Sequence, residues 1–435
     1  MNREHELAAL TVGALLREDY AGLAGRVRHT AGGPVLDLPA QGRVLPLEAD
    51  GFLADLRIAG SAPPLTLADV EALVGAISDP RDAAGVAAFG AECRQALASL
   101  RVRDRHLDAA RAVSLAAPGL AGAIGYDALA AAMTHPAYPT SACRLGFTDD
   151  DHLRYAPEYL PEFELNWVAV PRSVLTRGGG GPPPWWPAPE DVGLPASLAA
   201  THDLLPVHPL TARRVLPQAL AEAGLAFHEV APGTALRVRP TLSVRTVAVT
   251  GQPRAHLKLP LPVSTLGLRN RRAIAPATLA DGALVHRVLA TVLSKDTVLS
   301  EDTVLSKDTG LARDAGLGGL MITDDGTYAH AGHPFLGYLL RLPPAGLDRC
   351  HVVPVAGLLA PAGPDGRLVI DQLASASAPD LAVPDRAWPP VPRPARPAVP
   401  CSIWRAPTSA CCSGSRCGCS SGMASRSNRI SRTPR

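Results

Sequence analysis

The sequence predicts an α+β chain, helical in its first third and mixed in strands and helices after about residue 126. Three observations carry this expectation. Apolar residues fall at helical spacing in Leu65–Val74 and again in Val86–Leu107. An alternating, β-branched run from Arg237 to Val249 meets a turn at Gly251-Gln252-Pro253 and resumes as His256–Leu259, which reads as a hairpin. Between these, Asn166–Val170 reads as a strand and Leu210–Ala223 as a helix.

Taken in order, residues 1–125 are expected to be mostly helical. The apolar stretch Leu115–Met133 contains Pro118, Asp127 and three glycines, so it suits a buried helix better than a membrane span. Gly178–Gly181 followed by Pro182–Pro184 is a flexible and then stiff loop; without a following GK[ST] it is no phosphate-binding P-loop. Residues 293–310 are three copies of a hexapeptide, too short for a solenoid and suited to lengthening a helix or loop. Leu317–Ile322, Leu336–Pro343 and Val353–Pro361 are further apolar runs.

At 435 residues the chain can build one large core or two to three domains, and 47% hydrophobic content is ordinary for a globular protein. The net charge of +2 gives no reason to expect nucleic acid as a partner. Met1–Leu7 lacks the basic segment and apolar core of a signal peptide, so the expected location is the cytoplasm, with no membrane partner.

The cations are distributed unevenly. The chain has three lysines against thirty-nine arginines, and two of the lysines, Lys295 and Lys307, lie in the hexapeptides. The third, Lys258, stands in the hairpin. With the turn centred between Gly251 and Gln252, Arg245 is expected opposite Lys258, with Ser243 two residues away on the same face. Like charges placed opposite each other destabilise a sheet unless an anion sits between them. The alternative is a solvated pair on an exposed face.

Four blocks in this chain resemble the IucA/IucC family of siderophore synthetases, ATP-dependent ligases that use no peptide-synthetase template. They are His135–Phe147, followed by Tyr155–Tyr159 and Leu165–Val170; Leu205–Pro209; Arg239–Thr246; and Lys258 with Thr265–Arg269. The resemblance covers roughly residues 100 to 375. It implies a hand-like fold: a helical thumb (1–125), ATP-binding fingers carrying an antiparallel sheet (126–320), and the start of a palm (321–391).

The resemblance also implies roles. Ser243, Arg245, Thr246 and Lys258 would contact nucleotide phosphates, with His135 and Arg144 closing the phosphate end. Thr265 and Arg269 would hold the carboxylic substrate, a citrate-like polycarboxylate, and Arg245, Lys258 and Arg269 would act in catalysis. ATP and Mg2+ are the implied cofactors, without a named magnesium ligand. An amine, or less often a hydroxyl, would capture the adenylate, and a homodimer is compatible with this reading. The chemistry suits the residues, because joining a carboxylate to the α-phosphorus of ATP brings two anions together and needs fixed cations.

The chain departs from the family pattern in places. Where the first block usually has a second histidine and a lysine, it has Tyr138 and Ala142, and after His208-Pro209 the usual Trp-Gln is Leu210-Thr211. The Glu-Ala-His-x-Gln-Asn-like stretch and Arg-Asp pair of the family's palm are not found after Trp388. From about residue 392 the composition turns to Ser, Arg, Pro and Cys, so residues 392–435 are expected to be a disordered, aberrant tail, as after a shifted reading frame. A truncated relative that binds nucleotide or a partner without catalysis is the alternative function.

Other constellations have structural readings. Cys401, Cys411, Cys412, Cys417 and Cys419 lack the two CxxC pairs and the histidine of a zinc site, and His330/His333 have no acidic or cysteine partner evident in the sequence. Asp149–His152 is expected to open a helix at the surface. His208, before a proline at a strand end, is expected to be structural.

Overall fold

Asn2 caps the first helix, α1 (Arg3–Arg17), by accepting from the amides of Glu4 and His5. Four strands follow, β1 (Val27–Thr30), β2 (Gly33–Leu38), β3 (Arg43–Ala49) and β4 (Leu56–Ile58), paired in sequence order as an antiparallel sheet. Helix α2 (Leu67–Ile77) opens with a Thr66–Asp69 capping box, and α3 (Ala83–His106) follows. Leu7, Leu36, Leu45, Val70 and Leu97 join helices and sheet in one core. The helical expectation for this region therefore omitted a whole sheet. Its strands are short, and Pro34 and Pro46 interrupt their alternation, so no clear period of two remains.

The computed structural model describes residues 2–376 except 39–41, 51–55, 136, 226–229, 232–234, 303–320 and 363–365. The tail from residue 392 with its five cysteines, the end of the second hexapeptide and all of the third lie outside the described residues. Of the described residues, 2–292 and 321–376 cluster as one compact unit, and 293–302 fall in another.

Helices α4 (Ala109–Leu115) and α5 (Leu120–Ala132) pack backbone against backbone, since a Cβ on Gly125 would collide with Ala112 and Ala116. Beyond β5 (Arg144–Leu145), α6 (Asp149–Tyr155) is capped by Thr148. It starts where expected but is not solvated throughout: Asp151 is buried and receives Arg213 and Arg214.

The remaining elements build two sheets. Strands β6 (Phe163–Glu164), β7 (Asn166–Pro171), β8 (Thr176–Gly178) and β9 (His202–Val207) precede α7 (Pro209–Arg214) and α8 (Leu216–Glu222). The expected single helix over 210–223 is thus broken at Val215, ahead of Pro217. Then come β10 (Val230–Ala231), β11 (Arg237–Pro240), β12 (Thr246–Val249), β13 (Gln252–Lys258) and β14 (Ser264–Thr265). Helix α9 (Ala277–Asp302) runs through the first hexapeptide, and β15 (Asp324–His330), β16 (Gly337–Leu342) and α10 (Val369–Ala376) complete the described chain.

The larger sheet has seven strands in the order β6-β11-β12-β13-β16-β15-β8; β10-β7-β9 is a second sheet and β14-β5 a short ribbon. Val238, Val247, Leu257 and Leu340 point from one face of the large sheet into a core shared with Trp167, Val170 and Leu205 of the smaller one. The mixed helices and antiparallel sheets are the α+β class the sequence predicts. No described helix is long and apolar enough to cross a membrane.

His208 is fully buried between the rings of Tyr155 and Phe163, and its Nδ1 accepts from the Leu210 amide at the start of α7. Burial lowers its pKa to about 3. The unfolded chain takes up this proton from about pH 6.5 downward while the folded chain does not, so stability is retained above that pH and lost as pH falls. His208 is expected to cost about 2 kcal/mol between pH 6.5 and pH 5. Urea denaturation across that range checks this, and the pH slope should be shallower in His208→Asn.

Candidate functional site

The face of the large sheet opposite the core carries the cations. Cα partners share a face, and the register sets Thr246 opposite Lys258 and Lys258 opposite Leu339, with Ala248, His256 and Arg341 aligned two residues along. Apolar groups cover this face on either side. Ala248 packs with Tyr126 and Leu129 of α5, while Leu339 and Tyr328 pack with Ile274 and with Leu279 and Ala283 of α9. The polar strip Thr246, His256, Lys258 and Arg341 lies between them.

This corrects the expected register. Val249 pairs with Gln252, but the next pair is Ala248 with His256, so three residues including Pro253 bulge from β13. Proline has no amide to donate to a ladder, which places the irregularity there. Thr246, not Arg245, is therefore the partner of Lys258. The expected continuous strand also breaks at residues 241–245, a turn closed by the Thr246 amide donating to the Ser243 carbonyl at 2.6 Å.

Arg245 nonetheless reaches the same place from that turn. Its carbonyl accepts from the Leu259 amide at 2.7 Å, and its guanidinium donates to the Ala273 carbonyl at 2.9 Å. The Lys258 ammonium is half-buried and has no hydrogen bond or ion pair among the described residues. Burial lowers its pKa, and the charges of Arg245, Arg341 and Arg272 lower it further, against an opposing contribution from Asp325. Arg341 is held by a two-pronged contact to Asp325 at 2.6 and 2.8 Å. Lys258, Arg245, Arg272 and Arg341 thus share a half-buried strip on which Asp325 is the one carboxylate, among the described residues, that acts on Lys258, a charge balance that favours an anion.

The other candidate residues occupy distinct positions. Ser243 is exposed on the turn beside Arg245, and Thr246 is buried. Thr265 on β14 pairs with Arg144 on β5, and its hydroxyl accepts from Arg272 Nε. Arg269 is exposed in the loop after Leu266 and Gly267, both at positive φ, and its side chain has no partner among the described residues. His135 is exposed, and its Nδ1 accepts from the amides of Ala137 and Tyr138 at 3.1 and 3.0 Å, leaving Nε2 outward.

Arg144 differs from the others because its charge is already matched. It donates to both oxygens of Glu158 at 2.6 and 2.8 Å, and it approaches His152 Nδ1 at 3.1 Å. Burial alone would lower its pKa; Glu158 more than offsets this, and the net shift is upward.

Arg272 and Arg341 belong to the cationic strip and were missed from sequence. Arg341 had a readable signal, a single charge inside the apolar run Leu336–Pro343. Arg272 had none beyond a neighbouring arginine. No group of three or more His, Cys, Asp or Glu side chains suited to a metal occurs among the described residues.

Comparison with known proteins bears on the family and the fold. Residues 126–360 match the model of the IucA / IucC family. A curated relative from Staphylococcus aureus, 2-[(L-alanin-3-ylcarbamoyl)methyl]-3-(2-aminoethylcarbamoyl)-2-hydroxypropanoate synthase, is 26% identical over 176 residues; the match spans 37% of this chain and 28% of that protein. Among solved structures, aerobactin synthetase IucC of Klebsiella pneumoniae superposes with a TM-score of 0.60 at 18% identity, covering 87% of this chain and 67% of that one. The ATP-bound aerobactin synthetase IucA of the same organism gives 0.58 at 17%, covering 86% and 68%. The petrobactin biosynthesis protein AsbB of Bacillus anthracis gives 0.58 at 16%, covering 86% and 64%.

Proposed function

Because the chain belongs to the IucA / IucC family of siderophore synthetases, we propose that it activates a citrate-like polycarboxylate with ATP and joins it to an amine. The observation that carries this reading is the half-buried Lys258, without a partner among the described residues, beside Arg245, Arg272 and Arg341. Such a group of cations with so little counter-charge suits a polyanion, and a triphosphate beside a polycarboxylate supplies one. One of the similar structures, the aerobactin synthetase IucA of Klebsiella pneumoniae, is ATP-bound, which supports nucleotide as the ligand.

In this reading, Lys258, Arg245, Thr246 and Ser243 hold the phosphates. A carboxylate oxygen of the acid attacks the α-phosphorus, the bond to the β-phosphate bridge breaks, and pyrophosphate leaves. The amine nitrogen then attacks the acyl carbon, forming an amide and releasing AMP and a proton. Thr265, held by Arg272, and the Arg269 guanidinium, which has no partner among the described residues, suit the acid's carboxylates, while the exposed His135 would close the phosphate end. Arg144, neutralised by Glu158, positions β5 against β14 rather than offering free charge. Mg2+ would accompany the nucleotide, and no protein ligand is assigned to it.

The test supplies purified chain with ATP, magnesium, citrate and hydroxylamine, and measures pyrophosphate and hydroxamate. The expected result is formation of both, dependent on citrate. ATP binding without either product would instead support a nucleotide-binding relative that performs no ligation.

A further inference from the structure

A second concave space, partly open to solvent, differs in character from the cationic strip. A cavity of about 170 Å3 lies between α1, α3 and the segment 137–140, and its lining includes Glu92, Glu18, Tyr20, Phe89 and Tyr138. Glu92 is 8% exposed. Its Oε1 accepts from the hydroxyls of Tyr138 and Thr140, at 3.1 and 2.5 Å, whereas Oε2 has no hydrogen bond among the described residues. Glu18 is matched by Arg17 at 2.8 Å, but no cation pairs with Glu92 among the described residues.

A buried carboxylate without a cation is costly and is normally relieved by a bound positive charge. Burial pushes the neighbouring thiols of Cys93 and Cys143 up to about 12, and Glu92 acts in the same direction. Three aromatic rings in the lining favour a cation as well. In size, the cavity compares with one of about 150 Å3 that accommodates benzene, so it admits a ligand of roughly six heavy atoms. The cavity also adjoins the loop proposed to hold the acid, because a Cβ on Gly267 would stand 3.2 Å from the Tyr138 hydroxyl.

We propose that this cavity binds a small primary ammonium ion through Glu92, with Tyr20, Phe89 and Tyr138 around it. Its role as the entry site of the amine substrate rests on the proposed ligase reaction; the binding itself does not. Tyr138 would then form the partition between the amine and the loop carrying Thr265 and Arg269.

Calorimetric titration of the nucleotide-free chain with n-butylamine at pH 7 tests the site, with 1-butanol as the neutral molecule of matching size. Saturable butylammonium binding is expected, at least tenfold weaker for the alcohol. Glu92→Gln keeps an acceptor for Tyr138 and Thr140 but removes the charge, and it should weaken butylammonium binding at least tenfold. Equal binding of amine and alcohol, undiminished binding in the variant, or no saturable amine binding would overturn the proposal. If the variant does not fold, the comparison of amine and alcohol on the unaltered chain decides alone. ATP titration of the same sample reads the proposed function separately.

Discussion

Lys258→Ala is expected to weaken ATP binding by about 1.5–3 kcal/mol, or roughly ten- to a hundredfold, the range for hydrogen bonds to charged groups. The half-buried ammonium faces Thr246 across the ladder and is repelled by Arg245, Arg341 and Arg272. Removing it relieves that repulsion in the free protein, so folding stability should hold or rise slightly while nucleotide affinity drops. Arg341→Ala should act differently, because it also strands Asp325. Calorimetry with ATP, paired with urea denaturation of each variant, separates the two cases. Unchanged ATP affinity in a folded Lys258→Ala chain would mean that Lys258 is only a solvated charge.

The largest effect on stability is expected at Glu158. Its side chain is 6% exposed and that of Arg144 13% exposed, and they share two short charge-assisted bonds. Replacing Glu158 by alanine leaves a buried guanidinium without a counter-charge, which typically costs about 3–5 kcal/mol. Replacing both partners by apolar residues should cost much less, since no lone charge remains. Chemical denaturation of Glu158→Ala and of the double variant checks this; a loss below about 1 kcal/mol in the single variant would show that water reaches Arg144.

Sequence periodicity located what depends on local pattern. The α2 and α3 helices, β7, and the paired β12 and β13 all follow from spacing that a short window contains. The register between β12 and β13 did not follow, because three bulged residues around Pro253 alter the pairing by more than a symmetric turn allows. That slip matters for the site, since it replaces Arg245 by Thr246 as the partner of Lys258. Arg245 arrives beside the lysine from a turn, held by its carbonyl accepting from the Leu259 amide and its guanidinium donating to the Ala273 carbonyl, a route no alternation rule describes.

The site's remaining parts are legible only in three dimensions. Arg272 and Arg341 come from segments on either side of α9, and sheet pairing and loop return bring them to one strip. Conversely, Arg144 looks from sequence like another phosphate cation, and only the folded chain shows Glu158, fourteen residues on, holding it in two places. Lys258 itself stands out in the sequence, as one of three lysines against thirty-nine arginines.

In the proposed function, the strip between α5 and α9 holds the phosphates of ATP. A crystal structure of the chain with a non-hydrolysable ATP analogue tests it most directly. The expected result is phosphate oxygens within hydrogen-bond distance of Lys258 Nζ and the Arg245 guanidinium, with Thr246 against the same group. A nucleotide bound elsewhere, or an ordered chain that leaves Lys258 facing only solvent at saturating analogue, would contradict it.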